Sequence, residues 1–374
     1  MIKFKKTQLL RFNLKKVQSK NILIRVDFNV PVQKGKILEK FRIESIKNSL
    51  NLLKSAKRIV FISHFGDPER PNINYSFKKL LPQIEKILKV KINFIKDLDS
   101  PAKEKYNLLE NLRFWPGEKN CDPEFANKIA NYGELFINEA FSASHRQHAS
   151  INLLPKILPT FYGPNFEKEV NLLNKILTAK KLVMILGGAK ISTKLPLIKK
   201  FLIKTRVIIL AGGLANTYLK AQGFEIGKSL TENYLIEDLK KIKSKKIFIP
   251  PQFINQNLEK KLLTEIKKND IIYDVSEESS KIIFNLIKKD KVIIWNGPLG
   301  FIENKNFTKG TLALANYLSN LTNSFVLIGG GDTLAFLEKH NLLKKFNHIS
   351  LGGGAMLSYL ADPEKFKKNI GIKF

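Results

Sequence analysis

The chain has 374 residues, 44% hydrophobic and 26% charged, a globular composition with room for about two domains. No apolar run approaches the roughly 20 residues that cross a bilayer, the basic start MIKFKKTQLLRF lacks a signal peptide's apolar core, and Cys121 stands alone, so neither a membrane anchor nor an intrachain disulfide is expected and a reducing cytoplasm is. The net charge of +31 is spread along the chain with no zinc-finger spacing and no aromatic-basic RNA pattern, so it points to a field that draws small anions and not to a nucleic-acid partner.

In chain order, short apolar runs alternate with amphipathic stretches. Strands are expected at Asn21 to Phe28, Arg58 to His64, Lys91 to Ile95, Asn107 to Leu112 and Glu134 to Phe141. Helices are expected between them, at Ile43 to Ser55 and Phe77 to Leu88. Pro155, Pro159, Gly163 and Pro164 then crowd a break, and an amphipathic run from Asn165 to Leu177 reads as a linker helix. Five more apolar runs follow, each breaking into glycine: VMILGGAK, VIILAGGLA, VIIWNGPLG, FVLIGGGDT and ISLGGGA. Runs of this kind read as strands buried on both faces of a parallel sheet. The fold class is therefore α/β, two doubly wound lobes joined by a hinge helix. The expected division is 1–164, linker 165–177, 178–350, and a terminal segment 351–374.

In an open parallel sheet the loops at the strands' carboxyl ends line up along one edge. In the first half these loops carry Asp27 and Asn29 before Pro31, His64 in SHFGDP, Arg113 in ENLRF, and Arg146 between His145 and His148. An Asx turn is the plain alternative for Asp27 and Asn29. Two histidines without a third ligand are weak evidence for a metal. About eight of the 64 basic residues are arginine, and all but Arg206 fall in the first 150 residues. Arginine's planar fork suits carboxylate or phosphate, so Arg42, Arg113 and Arg146 with His64 read as an anion site.

In the second half GGAKISTKL places Lys190 and Lys194 four apart, which reads as one face of a helix's first turns beside a triphosphate. GGGDT adds a glycine cradle and a carboxylate, Asp332, suited to Mg²⁺ beside phosphates, with a helix N-cap as the alternative. Glu303 is a candidate for ribose hydroxyls. GFEIGKS imitates a Walker loop but has three residues between its glycines where four are needed.

These segments together resemble phosphoglycerate kinase along nearly the whole chain: RVDFNVP, the helix start at Arg42, SHFG, LLENLRF, NEAFSASHRQH, GGAKISTKL, GGLANTYLKAQGFEIGKSL, WNGPLGFIE, GGGDT and GGGA. The resemblance implies a monomer whose first lobe binds 3-phosphoglycerate through Asp27, Phe28, Asn29, Arg42, His64, Phe65, Gly66, Asp67, Arg113 and Arg146. It implies a second lobe binding ATP or ADP with Mg²⁺ through Gly188, Lys190, Lys194, Gly212, Gly213, Glu303, Gly329, Gly330, Gly331, Asp332 and Thr333. Asp332 would hold the metal, and Arg42, Lys190 and Lys194 would act in catalysis. The resemblance also implies that the tail, from Leu357 to Phe374, returns to the first lobe, and that closure about residues 153–177 unites the two half-sites.

Four residues depart from that family's pattern. Asp67 stands where it carries arginine, with Arg70 as a candidate replacement; Leu351 replaces a threonine, Ser358 a glutamate and Gln252 an aspartate. Asp67 motivates an alternative, a paralogue acting on another small phosphorylated acid. A non-catalytic protein that binds nucleic acid through its charge is a third reading, against which the retained lysines, Asp332 and arginines speak.

Overall fold

The computed structural model describes residues 14–346 and 348–371, so the first 13 residues of the expected first lobe and the last three of the tail lie outside the described residues. The chain divides into two compact units, one reaching to Leu172 and resuming at Asp362, the other Leu173–Ala361. The boundary falls inside helix Pro164–Thr178, and helix Gly354–Ala361 counts with the second unit, so the return to the first begins at Asp362.

The first unit is built on a six-stranded parallel sheet: β1 Asn21–Arg25, β2 Arg58–Ile62, β3 Asn93–Ile95, β4 Tyr106–Leu109, β5 Leu135–Asn138 and β6 Thr160–Tyr162, in the order β3-β4-β2-β1-β5-β6. Alternation of side chains divides its core in two. Ile22, Ile24, Ile59 and Phe61 join a cluster with Phe28 and Phe77, while Leu23, Val60 and Ile62 join another with Phe125 and Ile129. Burial on both faces is why these strands read as unbroken Val/Ile/Leu runs. Strand β6 falls inside the proline-rich break, where no strand was expected, and it forms because Phe161 and Tyr162 are buried there.

The returning chain is tied to this unit by specific contacts. Phe366 lies 5.2 Å from the Phe141 ring, and Tyr162 donates from its hydroxyl to the Ile370 carbonyl at 2.7 Å. Asn369 donates to the carbonyls of Ser144 and Arg146 at 3.2 and 3.3 Å and accepts from Asn152 at 2.7 Å.

The second unit carries β7 Leu182–Leu186, β8 Thr205–Leu210, β9 Ile247–Phe248, β10 Val292–Asn296, β11 Phe325–Gly329 and β12 His348–Ile349, all parallel, in the order β9-β8-β7-β10-β11-β12. A three-stranded antiparallel sheet, Gln252–Asn255, Lys260–Leu262 and Ile272–Val275, stands beside it on its own small core of Phe253, Ile266 and Ile272. Strand order reverses at β1 and β5 in one unit and at β7 and β10 in the other. The loops that leave these strands open the crevices where doubly wound folds bind ligands.

Candidate active site: an anion cluster and a lysine-glycine edge

In the first unit, β1 ends at Arg25 and delivers Asp27 and Asn29 to the crevice. The Asx turn is present, with the Asn29 amide donating to Asp27 Oδ1 at 3.1 Å, yet Asp27 does more. Its Oδ2 accepts from Arg42 Nη1 at 3.0 Å and from the Ser142 hydroxyl. Arg42, in the first turn of helix Phe41–Leu52, also donates to the Asn29 carbonyl at 3.2 Å. Asn29 Oδ1 accepts the Gly66 amide at 2.9 Å, joining the β1 loop to the loop after β2. Arg113 Nη1 donates to the Gly66 carbonyl. Phe28 and Phe65 turn their rings into the core, toward Phe61 and Phe77 for one and Tyr75 and Phe77 for the other, so only their backbones border the site.

Behind this surface lies a buried network in which Arg25 and His64 meet two residues the sequence did not single out, Ser150 and Glu118. Arg25 is fully buried and donates from Nη2 to His64 Nδ1 at 3.0 Å and from Nε to Ser150 Oγ at 3.1 Å. The Ser150 hydroxyl in turn donates to Glu118 at 2.7 Å. A guanidinium only donates, so His64 Nδ1 must accept and its proton sits on Nε2. Burial, and then the charges of Arg25, Arg146, His148 and Arg42, hold His64 well below the ordinary histidine range, so it is neutral at pH 7. Those same influences bring Arg146 into the cluster electrostatically. Burial alone would raise Glu118, but His148, 3.5 Å away, and the Arg25 charge bring it down. Among the described residues no three His, Cys, Asp or Glu side chains gather to hold a metal, His145 and His148 included.

Asp67 faces Arg113 at 3.3 Å and Lys119 at 2.5 Å, while Arg70 stands exposed outside that pairing. Lys119 ends the short helix Pro116–Lys119 and was one lysine among many in the sequence.

In the second unit the loops after β7 and β10 meet backbone to backbone. Gly188 donates to the Pro298 carbonyl at 2.8 Å, and a Cβ on Gly187 would lie 2.0 Å from that oxygen. A Cβ on Gly297 would lie 2.3 Å from the Gly187 carbonyl, so glycine at these two places serves loop contact before any ligand. Thr333 is buried and accepts the Gly297 amide at 3.0 Å, which fastens the β11 loop to the same assembly.

The lysine pair departs from expectation. Helix Leu195–Phe201 starts after both lysines, with Pro196 fixing its first turn and Lys194 at the N-cap. The amides of Ile191 and Ser192, which would have faced a phosphate, both donate to Glu232 Oε2 at 2.9 Å. Lys190 and Lys194 instead span a turn, Lys194 Nζ donating to the Lys190 carbonyl at 3.1 Å. Lys190 is exposed, whereas burial lowers Lys194 to about 8, with Asp332 and Glu232 partly restoring it and Lys190 opposing them.

Two helix starts border this edge, Gly212–Ala221 with Gly212 and Gly213, and Gly331–Lys339 with Gly330 at its N-cap after Gly329. Asp332 is exposed in the second one's first turn, and Glu303 stands exposed after β10. Asn296, also missed in the sequence, is buried with Nδ2 lacking an acceptor, 3.3 Å from where a Gly330 side chain would begin. The exposed carboxylate of Asp332, an unanswered amide donor and two lysines fit a Mg²⁺-nucleotide, because Mg²⁺ takes one or two carboxylates and completes its shell with phosphate and water.

Residues 13–362 match the family model described as phosphoglycerate kinase. The chain belongs to the phosphoglycerate kinase family. It is 37% identical to the phosphoglycerate kinase of Wigglesworthia glossinidia brevipalpis, over 96% of this chain and 97% of that one. The solved phosphoglycerate kinase of Coxiella burnetii aligns with TM-score 0.77 at 33% identity, covering 92% of this chain and 94% of that one. The phosphoglycerate kinase from Pyrococcus horikoshii, at 24% identity, shares the fold with TM-score 0.82 over 95% of this chain and 97% of that one. Nothing in these likenesses favours a different acid. Of the other departures from the phosphoglycerate kinase pattern, Leu351 packs against the second unit's core, Gln252 lies in the antiparallel sheet with a buried Oε1 that lacks a donor, and Ser358 lies on helix Gly354–Ala361, which packs against the helix that follows Lys194.

Proposed function

We infer that this chain catalyses the reversible transfer of a phosphoryl group between 1,3-bisphosphoglycerate and Mg-ADP, giving 3-phosphoglycerate and ATP in glycolysis. Membership of the family across residues 13–362 is the observation that carries this reading.

The chemistry agrees with the residues. The acceptor is a carboxylate of pKa roughly 3.5–4, ionised at pH 7, so no general base is needed. Transfer needs alignment and neutralisation of charge on the moving group. Arg42, Arg113, Arg146 and the Nε2–H of neutral His64 would hold the acid, with Asp27 and Asn29 orienting it. Lys190, Lys194 and Asn296 would face the phosphates, Glu303 the ribose, and Asp332 the metal. Bound Mg²⁺ would supply charge neutralisation at the phosphate oxygens. Each unit carries one half-site, so turnover requires a state in which the two ligands meet with water excluded. We further propose a cytoplasmic monomer acting on small molecules, with no nucleic-acid or membrane partner.

The test is the steady-state rate with 3-phosphoglycerate and Mg-ATP, product being drawn off by a coupled dehydrogenase. Turnover at submillimolar substrate is expected. Nucleotide binding without turnover would instead place the change in the acid half-site.

A further inference from the structure

An exposed carboxylate stands inside the cationic cluster of the first unit. Arg113 is nearly closed off, its side chain 3% exposed, and its Nε has no acceptor. The guanidinium meets Asp67 Oδ1 at 3.3 Å, and the same oxygen meets Lys119 Nζ at 2.5 Å. Asp67 itself is 67% exposed, so these two cations hold it in place and no packing does. A carboxylate so placed offsets the charge of Arg113, as an incoming anion would, while leaving Nε unanswered.

We propose that Asp67 is a built-in competitor for the anionic ligand of this site, and that Lys119 restrains the competition by sharing its charge. The proposal rests on the reading of this face as the acid half-site. An incoming phosphate or carboxylate competes with Asp67 for the charge of Arg113. Displacement is cheap, because the carboxylate end of the pair is open to water and keeps Lys119 as a partner when it leaves Arg113. Asp67 thereby sets how tightly the site holds its ligand, and Lys119 acts as a positioning residue through Asp67.

Calorimetric titration of 3-phosphoglycerate into the full chain, without nucleotide and at low ionic strength, tests this. Asp67→Asn and Asp67→Ala should each bind roughly two- to five-fold more tightly than the parent, the range expected for one pair whose carboxylate is exposed. Lys119→Ala should weaken binding by a similar factor in the parent and change it far less in the Asp67→Asn background. Unchanged or weaker binding in both Asp67 variants, with the parent still binding, would overturn this inference alone. No binding by parent or variants would remove the acid-site reading with it.

Discussion

Lys194 holds an ammonium group in a nearly closed position, with burial lowering it to about 8. Its charge is a cost to the empty protein and an asset only when phosphate arrives. Lys194→Met should therefore abolish most turnover while making the ligand-free protein more stable, by on the order of 1–3 kcal/mol. The sign can be checked against pH. Between about 8 and the unfolded value near 10.4 the unfolded chain binds the extra proton, so stability rises with pH in the parent. Thermal melts from pH 7.5 to 10 should show that rise and should lack it in the variant. At this scale the sequence was legible where a residue type was scarce. Arg42, Arg113 and Arg146 stood out as forks in a lysine-rich chain. Lys119 could not stand out among so many lysines, and Asn296 shows its purpose only once its amide is seen buried and unanswered.

Helix Pro164–Thr178 shows how one element depends on another far off in sequence. Glu139, just past β5, accepts the Asn165 and Phe166 amides at 3.0 and 3.2 Å, together with the Ser49 hydroxyl. Glu139→Ala would leave these buried donors unanswered and should cost roughly 1–3 kcal/mol in urea unfolding, Glu139→Gln less. Burial pushes Glu139 up to about 7 against the lowering effect of its Ser49, Phe166 and Asn165 donors. An acid raised on folding contributes stability that is full below its unfolded value near 4.3 and is lost as pH rises to about 7. The Gln variant should lose that slope. The helix itself was visible as an amphipathic run. Its cap was not, because a glutamate following a strand carries no mark of what it will meet. Long Val/Ile/Leu runs announced β1, β2, β7, β10 and β11. Strands β6 and β9, three and two residues long, offer no period to read, and the antiparallel strands at Gln252–Val275 are short with mixed burial.

Across the whole molecule, a net charge of +31 repels itself. Raising salt from about 20 to 200 mM shortens the Debye length to within a few residues' reach and should raise the melting temperature while weakening 3-phosphoglycerate binding. A melting temperature that falls with sodium chloride would show that paired charges dominate the balance. The return of the chain at Asp362 has a consequence in time. Asn369 holds the carbonyls of Ser144 and Arg146, and Phe366 lies on Phe141, so the loop that presents Arg146 gains its supports from residues made after the whole second unit. Domains emerging from the ribosome usually complete themselves in order, the first before the second. Here the first-made unit must wait, unfinished at its anion site, until the whole second unit has been made.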